Sequence, residues 1–216
     1  MMKIFDENTI GNAAPIHEWV KAMEQAFIDT ANGELEVPPR MHIDRGQNTL
    51  LLMPCFGSAY FSTKLVSVFP KNLLKKESIK SVRIIDHSRK VMMRFASEII
   101  ITATGSHHPV VPDRGDWWKG KTIIGIGSYK PEMREFPDQI FSNIEQVFID
   151  TNVALTETGD LIHPLRDGVI DESQVIPLAD LIMRNAKLSG ETRFFKSVGM
   201  AAFDLYGAKL VYESLY

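Results

Sequence analysis

Several residues in this sequence have the chemistry to hold a small charged molecule. Arg40 in VPPRMHID and Lys64 in STKLVSVFPKN each set a cation beside apolar segments. A charge there is costly unless it meets an anion, and an arginine fork pairs with a carboxylate through two parallel hydrogen bonds. Taken alone, both fit plainer roles at least as well, Arg40 as a solvated loop residue and Lys64 as a lysine on a sheet edge. Asp86 closes the apolar run SVRIID. An acid at a strand end can meet ribose hydroxyls, or it can simply cap the next helix. Near the C-terminus, Lys-Ser-Val-Gly (196–199) leads directly into a segment of helical periodicity. Gly199 lets a backbone come close to another group, and Ser197 offers a hydroxyl near a helix N-terminus. An ordinary glycine-containing helix entry has the same sequence.

Other reactive residue types argue against a metal or thiol site. His107 and His108 are adjacent, so on an extended segment they point in opposite directions and a loop-exposed pair is the better reading. Cys55 is the single cysteine, between Pro54 and Phe56. It excludes an internal disulfide framework and reads as a small buried hydrophobe. Trp117 and Trp118 read as cover for a sheet edge or an interface.

At 216 residues and 44% hydrophobic content, the chain can bury a sizeable core. A net charge of −3 carries no electrostatic footprint for nucleic acid. No apolar run is long enough to cross a bilayer, and MMKIFDENTIG lacks the apolar stretch of a signal peptide. A cytoplasmic protein without a membrane partner is the expectation.

The elements that must position these residues follow from periodicity. Pro15 to Asn32 predicts a helix, with Trp19, Met23, Ala26 and Phe27 on one face and Asn32-Gly33 as its stop. His42–Ile43, Thr49–Pro54 and Tyr60–Pro70 predict strands of a mostly antiparallel sheet. Short apolar runs then follow at Ser81–Asp86, Glu98–Thr104, Lys121–Gly127 and Gln146–Asp150, with a helix possible over Ser88–Ala96. Short buried runs separated by polar segments predict parallel strands with crossovers, hence an α/β half. Asp160–Asp171 reads as loop, Leu178–Asn185 as helix, and Ala201, Leu205, Ala208 and Tyr212 as the buried stripe of a terminal helix.

Five segments together, VPPRMHID, STKLVSVFPKN, EIIITATGS (98–106), GIGSYKPEMRE (125–135) and FKSVG with its helix, resemble the ornithine cyclodeaminase and mu-crystallin family, in the family's own order. The resemblance implies an α/β fold: residues 1–72 and 190–216 as an α+β substrate and dimerisation domain closed by the C-terminal helix, and 73–189 as a shortened Rossmann-like parallel-sheet insert. It implies NAD(P)-linked chemistry on a small amino or imino acid, in a homodimer. It assigns Arg40, Lys64 and Val198 to substrate, and Asp86, Thr104 and Ser197 to NAD or NADP.

The departures from the pattern are as specific. No GxGxxG occurs, and the nearest substitute for a phosphate-cradling turn, Gly125–Ser128, brings Gly127 and Ser128 among the cofactor candidates. Without that turn the expectation is weakened cofactor binding. Tyr129 stands where a cyclodeaminase has its aspartate, two residues before Pro131. A phenol is a poor base at neutral pH, so amino-acid dehydrogenase or imine reductase chemistry is favoured over cyclodeamination. A non-catalytic ligand-binding or scaffold dimer of the mu-crystallin type is the alternative.

Overall fold

A computed structural model describes residues 4–68, 99–113 and 116–215. The expected strand Ser81–Asp86, the possible helix Ser88–Ala96, and Asp86 itself lie outside the described residues. Those described form two compact units, 4–68 with 200–215 and 99–113 with 116–199.

The first unit opens with a helix that hydropathy did not signal, α1 (Glu7–Ala13). Asp6 starts it by accepting the Thr9 N–H at 2.8 Å, an N-cap. α2 (Ile16–Ala31) stops at Asn32, and Gly33 leaves it in the left-handed region at φ +73°. Three antiparallel strands follow in the order β1 (Met41–Arg45), β2 (Asn48–Phe56), β3 (Phe61–Val68). Along β2 the period of two sends Thr49, Leu51, Met53 and Cys55 inward, all buried, while Leu50 and Phe56 face out.

The second unit is built on five parallel strands: β4 (Ile99–Thr102), β5 (Thr122–Gly125), β6 (Val147–Ile149), β7 (Val175–Pro177) and β8 (Arg193–Lys196). Their order is β4-β5-β8-β6-β7, so the last strand in sequence lies near the middle of the sheet. Phe194 on β8 has no exposed surface and meets the rings of Phe136 and Phe141 edge-on, at 4.9 and 5.0 Å. Ile123, Ile140, Val147, Ile149 and Leu161 complete that core, and Trp118 is buried in it instead of covering an edge.

Three expectations need correction. Residues 190–199 belong with the parallel sheet, because β8 hydrogen-bonds β5 on one side and β6 on the other. The segment read as loop contains α4 (Gly159–Arg166), which follows the one-turn helix α3 (Ala154–Glu157). Thr158 caps α4 by accepting the Asp160 N–H, and burial of Leu161 and Pro164 outweighs the backbone bond that proline forfeits. The predicted helix at Leu178 is α5 (Leu178–Ile182), and the C-terminal helix is α6 (Ala201–Leu215). On α6 the buried residues are Ala201, Ala202, Leu205 and Val211, whereas Ala208 and Tyr212 are exposed. Phe203 meets Phe27 of α2 edge-on at 4.9 Å and the Tyr206 hydroxyl donates to Asp29. These two contacts set the helix's rotation.

Phe194→Ala removes a ring held between two others and should cost about 3–5 kcal/mol, whereas Ile16→Ala, at a side chain 78% exposed, should stay within about 0.5 kcal/mol. Denaturant midpoints of the two variants give the comparison.

Candidate functional site

Parallel strands end together, so whatever follows β4, β5, β6 and β8 gathers at one edge of the sheet. Thr104 lies just past β4, Gly127 and Ser128 past β5, Asp150 past β6, and Ser197–Gly199 past β8. The C-terminal edge of such a sheet is where ligands bind in open α/β folds.

Two buried carboxylates tie this edge together. Glu135, with no exposed surface, accepts the Thr104 N–H at 2.6 Å, the Thr102 hydroxyl at 2.9 Å and the Gly127 N–H at 2.8 Å. It thereby clamps the turn after β4 to the turn after β5. The fit is tight: a Cβ on Gly127 would lie 2.1 Å from the Thr104 nitrogen, so only glycine is accommodated. Asp150 does the same between β6 and β8. Its Oδ2 accepts the Ser197 hydroxyl at 2.6 Å, the Val198 N–H at 2.9 Å and the Gly199 N–H at 2.7 Å, while Oδ1 accepts the Thr151 N–H at 2.8 Å. Gly199 sits in the left-handed region at φ +84°, which favours glycine. Burial pushes the Asp150 carboxyl above its ordinary value, and the Ser197 hydroxyl and the Gly199, Val198 and Thr151 amides pull it part of the way back.

Behind the edge lies a buried cation. Lys196, the last residue of β8, has no exposed surface, and its Nζ is 3.2 Å from Asp160 Oδ2 and 3.9 Å from Glu135 Oε2. The second Asp160 oxygen accepts the N–H groups of Glu135 and Phe136 at 2.7 and 3.0 Å. Burial raises the Asp160 carboxyl above its ordinary value, against the pull of Lys196 and those two amides.

The expected site residues separate accordingly. Thr104, Gly127, Ser128, Ser197 and Val198 come together in the second unit. Ser128 is fully buried, its hydroxyl donating to the Met133 carbonyl at 2.7 Å and meeting the Thr158 hydroxyl at 2.6 Å. Any ligand contact at Ser128 therefore falls to its backbone. Tyr129, which follows it, is half-buried. Arg40 and Lys64 belong to the first unit. Lys64 stands opposite Met53 in β3 and pairs with Asp204 at 3.2 Å, both side chains more than a third exposed. Arg40 is half-buried just before β1.

Glu135, Asp150, Asp160 and Lys196 were not singled out as site residues. A signal was present for two of them: a lysine inside RFFKSV and an aspartate closing QVFID are charges in apolar runs, which need partners. Which partners they take is decided by strand order, which the sequence does not display.

The edge has features of a binding site beyond its own bonding. The Thr104 hydroxyl oxygen is buried and has no hydrogen-bond partner among the described residues. Leaving such a group unpaired costs about 1–3 kcal/mol. Ser197 is half-buried at the same edge. A dinucleotide end lying across neighbouring strand ends fits these residues.

The chain belongs to the ornithine cyclodeaminase/mu-crystallin family, whose sequence model matches residues 81–216. A Delta(1)-pyrroline-2-carboxylate reductase of Bacillus cereus is 34% identical over 122 residues, which are 54% of this chain and 37% of that protein. The ketimine reductase mu-crystallin of Macropus fuliginosus is 30% identical over 157 residues, 63% of this chain and 48% of its own. The chain thus spans between about a third and a half of these relatives' length. Among solved structures, a Thermococcus litoralis Delta(1)-pyrroline-2-carboxylate reductase in complex with NADH and L-proline shares the fold, with a TM-score of 0.80 at 21% identity over 99% of this chain and 97% of that one.

Lys196→Met leaves Asp160 and Glu135 buried without their cation and should cost about 3–5 kcal/mol. Asp160 already holds its proton more tightly when folded than when unfolded, and losing Lys196 widens that difference. Such a carboxyl favours the folded state as pH falls, so the deficit should be largest near about pH 8 and shrink towards about pH 5. Unfolding titrations at both pH values check this, and a deficit that ignores pH would contradict it.

Proposed function

We propose that this protein is an NAD(P)-linked reductase of a small cyclic imino acid. The observation that carries the reading is the convergence of Thr104, Gly127, Ser197 and Val198 on one sheet edge, with the Thr104 hydroxyl unpaired there. The reductase names of its relatives support the substrate class. A nicotinamide, when bound, supplies the hydride for the substrate's α-carbon. The chain's own contributions are positional: in the second unit Ser197 meets the nicotinamide end and Val198 touches substrate, and in the first unit Arg40 and Lys64 are the cations suited to a carboxylate. A cyclodeaminase is disfavoured because Tyr129 replaces the acid of that reaction.

A homodimer is part of the proposal. On the outer face of the first unit's sheet, Met41, Ile43, Leu50, Phe56, Phe61 and Leu65 are each more than a third exposed. An apolar face of this kind marks a surface that another molecule covers, and a second copy of the chain is the proposed occupant.

Titration of the purified chain with NADH and NADPH, followed by nicotinamide fluorescence, tests the first claim. Micromolar binding, followed by reduction of Delta(1)-pyrroline-2-carboxylate, is expected; no response at millimolar cofactor overturns the reductase reading and leaves a ligand-binding dimer. For the second, sedimentation should give twice the 24.4 kDa chain mass, and Phe61→Glu with Leu65→Glu should give the monomer.

A further inference from the structure

The Ser197 hydroxyl has one hydrogen and two lone pairs to offer. Its hydrogen goes to Asp150 Oδ2 at 2.6 Å, and one lone pair faces the Gly199 N–H at 3.1 Å. All four contacts to Asp150 are made by hydrogens, the pattern of an ionised carboxylate, so the serine hydrogen stays on that side. One lone pair remains for anything outside. Rotating the hydroxyl to donate elsewhere would forfeit a charge-assisted bond in a buried place, so Ser197 is fixed as an acceptor.

A nicotinamide carboxamide carries both an NH2 donor and a C=O acceptor. We propose that Asp150, by holding the Ser197 hydrogen, makes Ser197 a specificity-determining acceptor that takes a hydrogen from the carboxamide NH2. This rests on the reading that the cofactor's nicotinamide end lies at Ser197. Asp150 is then a positioning residue, since it acts on the cofactor through Ser197 and the two amides it anchors. A serine whose hydroxyl were free could turn to either side of the carboxamide and would tell the two groups apart poorly.

Two cofactor analogues separate the groups. The thionicotinamide dinucleotide keeps the NH2 and replaces the carbonyl oxygen by sulfur; the 3-acetylpyridine dinucleotide keeps the carbonyl and replaces NH2 by methyl. Competition against NADH in the full chain should show the acetylpyridine analogue binding about ten-fold more weakly than the thio analogue. Ser197→Ala should bring the two within about two-fold. Asp150→Ala should do the same by removing the acceptor that holds the hydroxyl hydrogen, and ADP-ribose, which lacks the ring, should bind all three proteins alike. Should Asp150→Ala fail to fold, Ser197→Ala still decides, because Asp150 keeps its three backbone donors. Equal binding of both analogues by the unmodified chain, or a preference that survives Ser197→Ala, overturns the proposal while leaving the reductase reading intact. Binding of neither NADH nor NADPH by the unmodified chain overturns both.

Discussion

Lys196 carries an ammonium with no exposed surface, and the second unit is arranged around the need to neutralise it. An isolated charge in a protein interior is untenable, so the chain brings Asp160 from the start of α4 and Glu135 from the stretch after β5. Each carboxylate then has further lone pairs to satisfy, and the groups that satisfy them are backbone amides at strand ends. Asp160 takes those of Glu135 and Phe136; Glu135 takes those of Thr104 and Gly127. A pair of this kind adds little net stability over an apolar core. What it fixes is the relative position of the turns after β4, β5 and β8.

Asp150 extends the same logic across the central strand. Its carboxylate gathers the Ser197–Gly199 turn, which Gly199 can form because it accepts a positive φ. The sheet edge is therefore made of turns whose backbone is already held by buried acids before any ligand arrives. Such preorganisation lowers the ordering cost of binding. It also divides the labour: Ser128 and the carboxylates are spent inside, whereas the Thr104 hydroxyl has no partner among the described residues and one Ser197 lone pair remains.

Much of this was legible in the sequence wherever a local pattern determines the structure. The alternation Thr49, Leu51, Met53, Cys55 gave β2 its inner face, and the short apolar runs gave parallel strands. The segments GIGSYKPEMRE and FKSVG follow β5 and β8 and so meet at one sheet edge. Features set by tertiary contact were not legible. α4 was hidden by Gly159, Pro164 and Asp167, residues typical of loops, and only Thr158 capping and the burial of Leu161 make it a helix. The face of α6 is turned by Phe27 and Asp29, far away in sequence. Assigning 190–199 to the first unit failed because β8's neighbours, β5 and β6, are chosen by the sheet and not by the adjoining helix.

The central claim is that the edge formed by the turns after β4, β5 and β8 is a nicotinamide dinucleotide site. Mapping backbone amide chemical shifts while adding NADH tests it most directly. The account predicts that Thr104, Gly127 and Ser197–Gly199 shift together and saturably, with amides on the first unit's outer sheet face unmoved. Saturable shifts confined to residues away from that edge, or none at millimolar NADH, would contradict it.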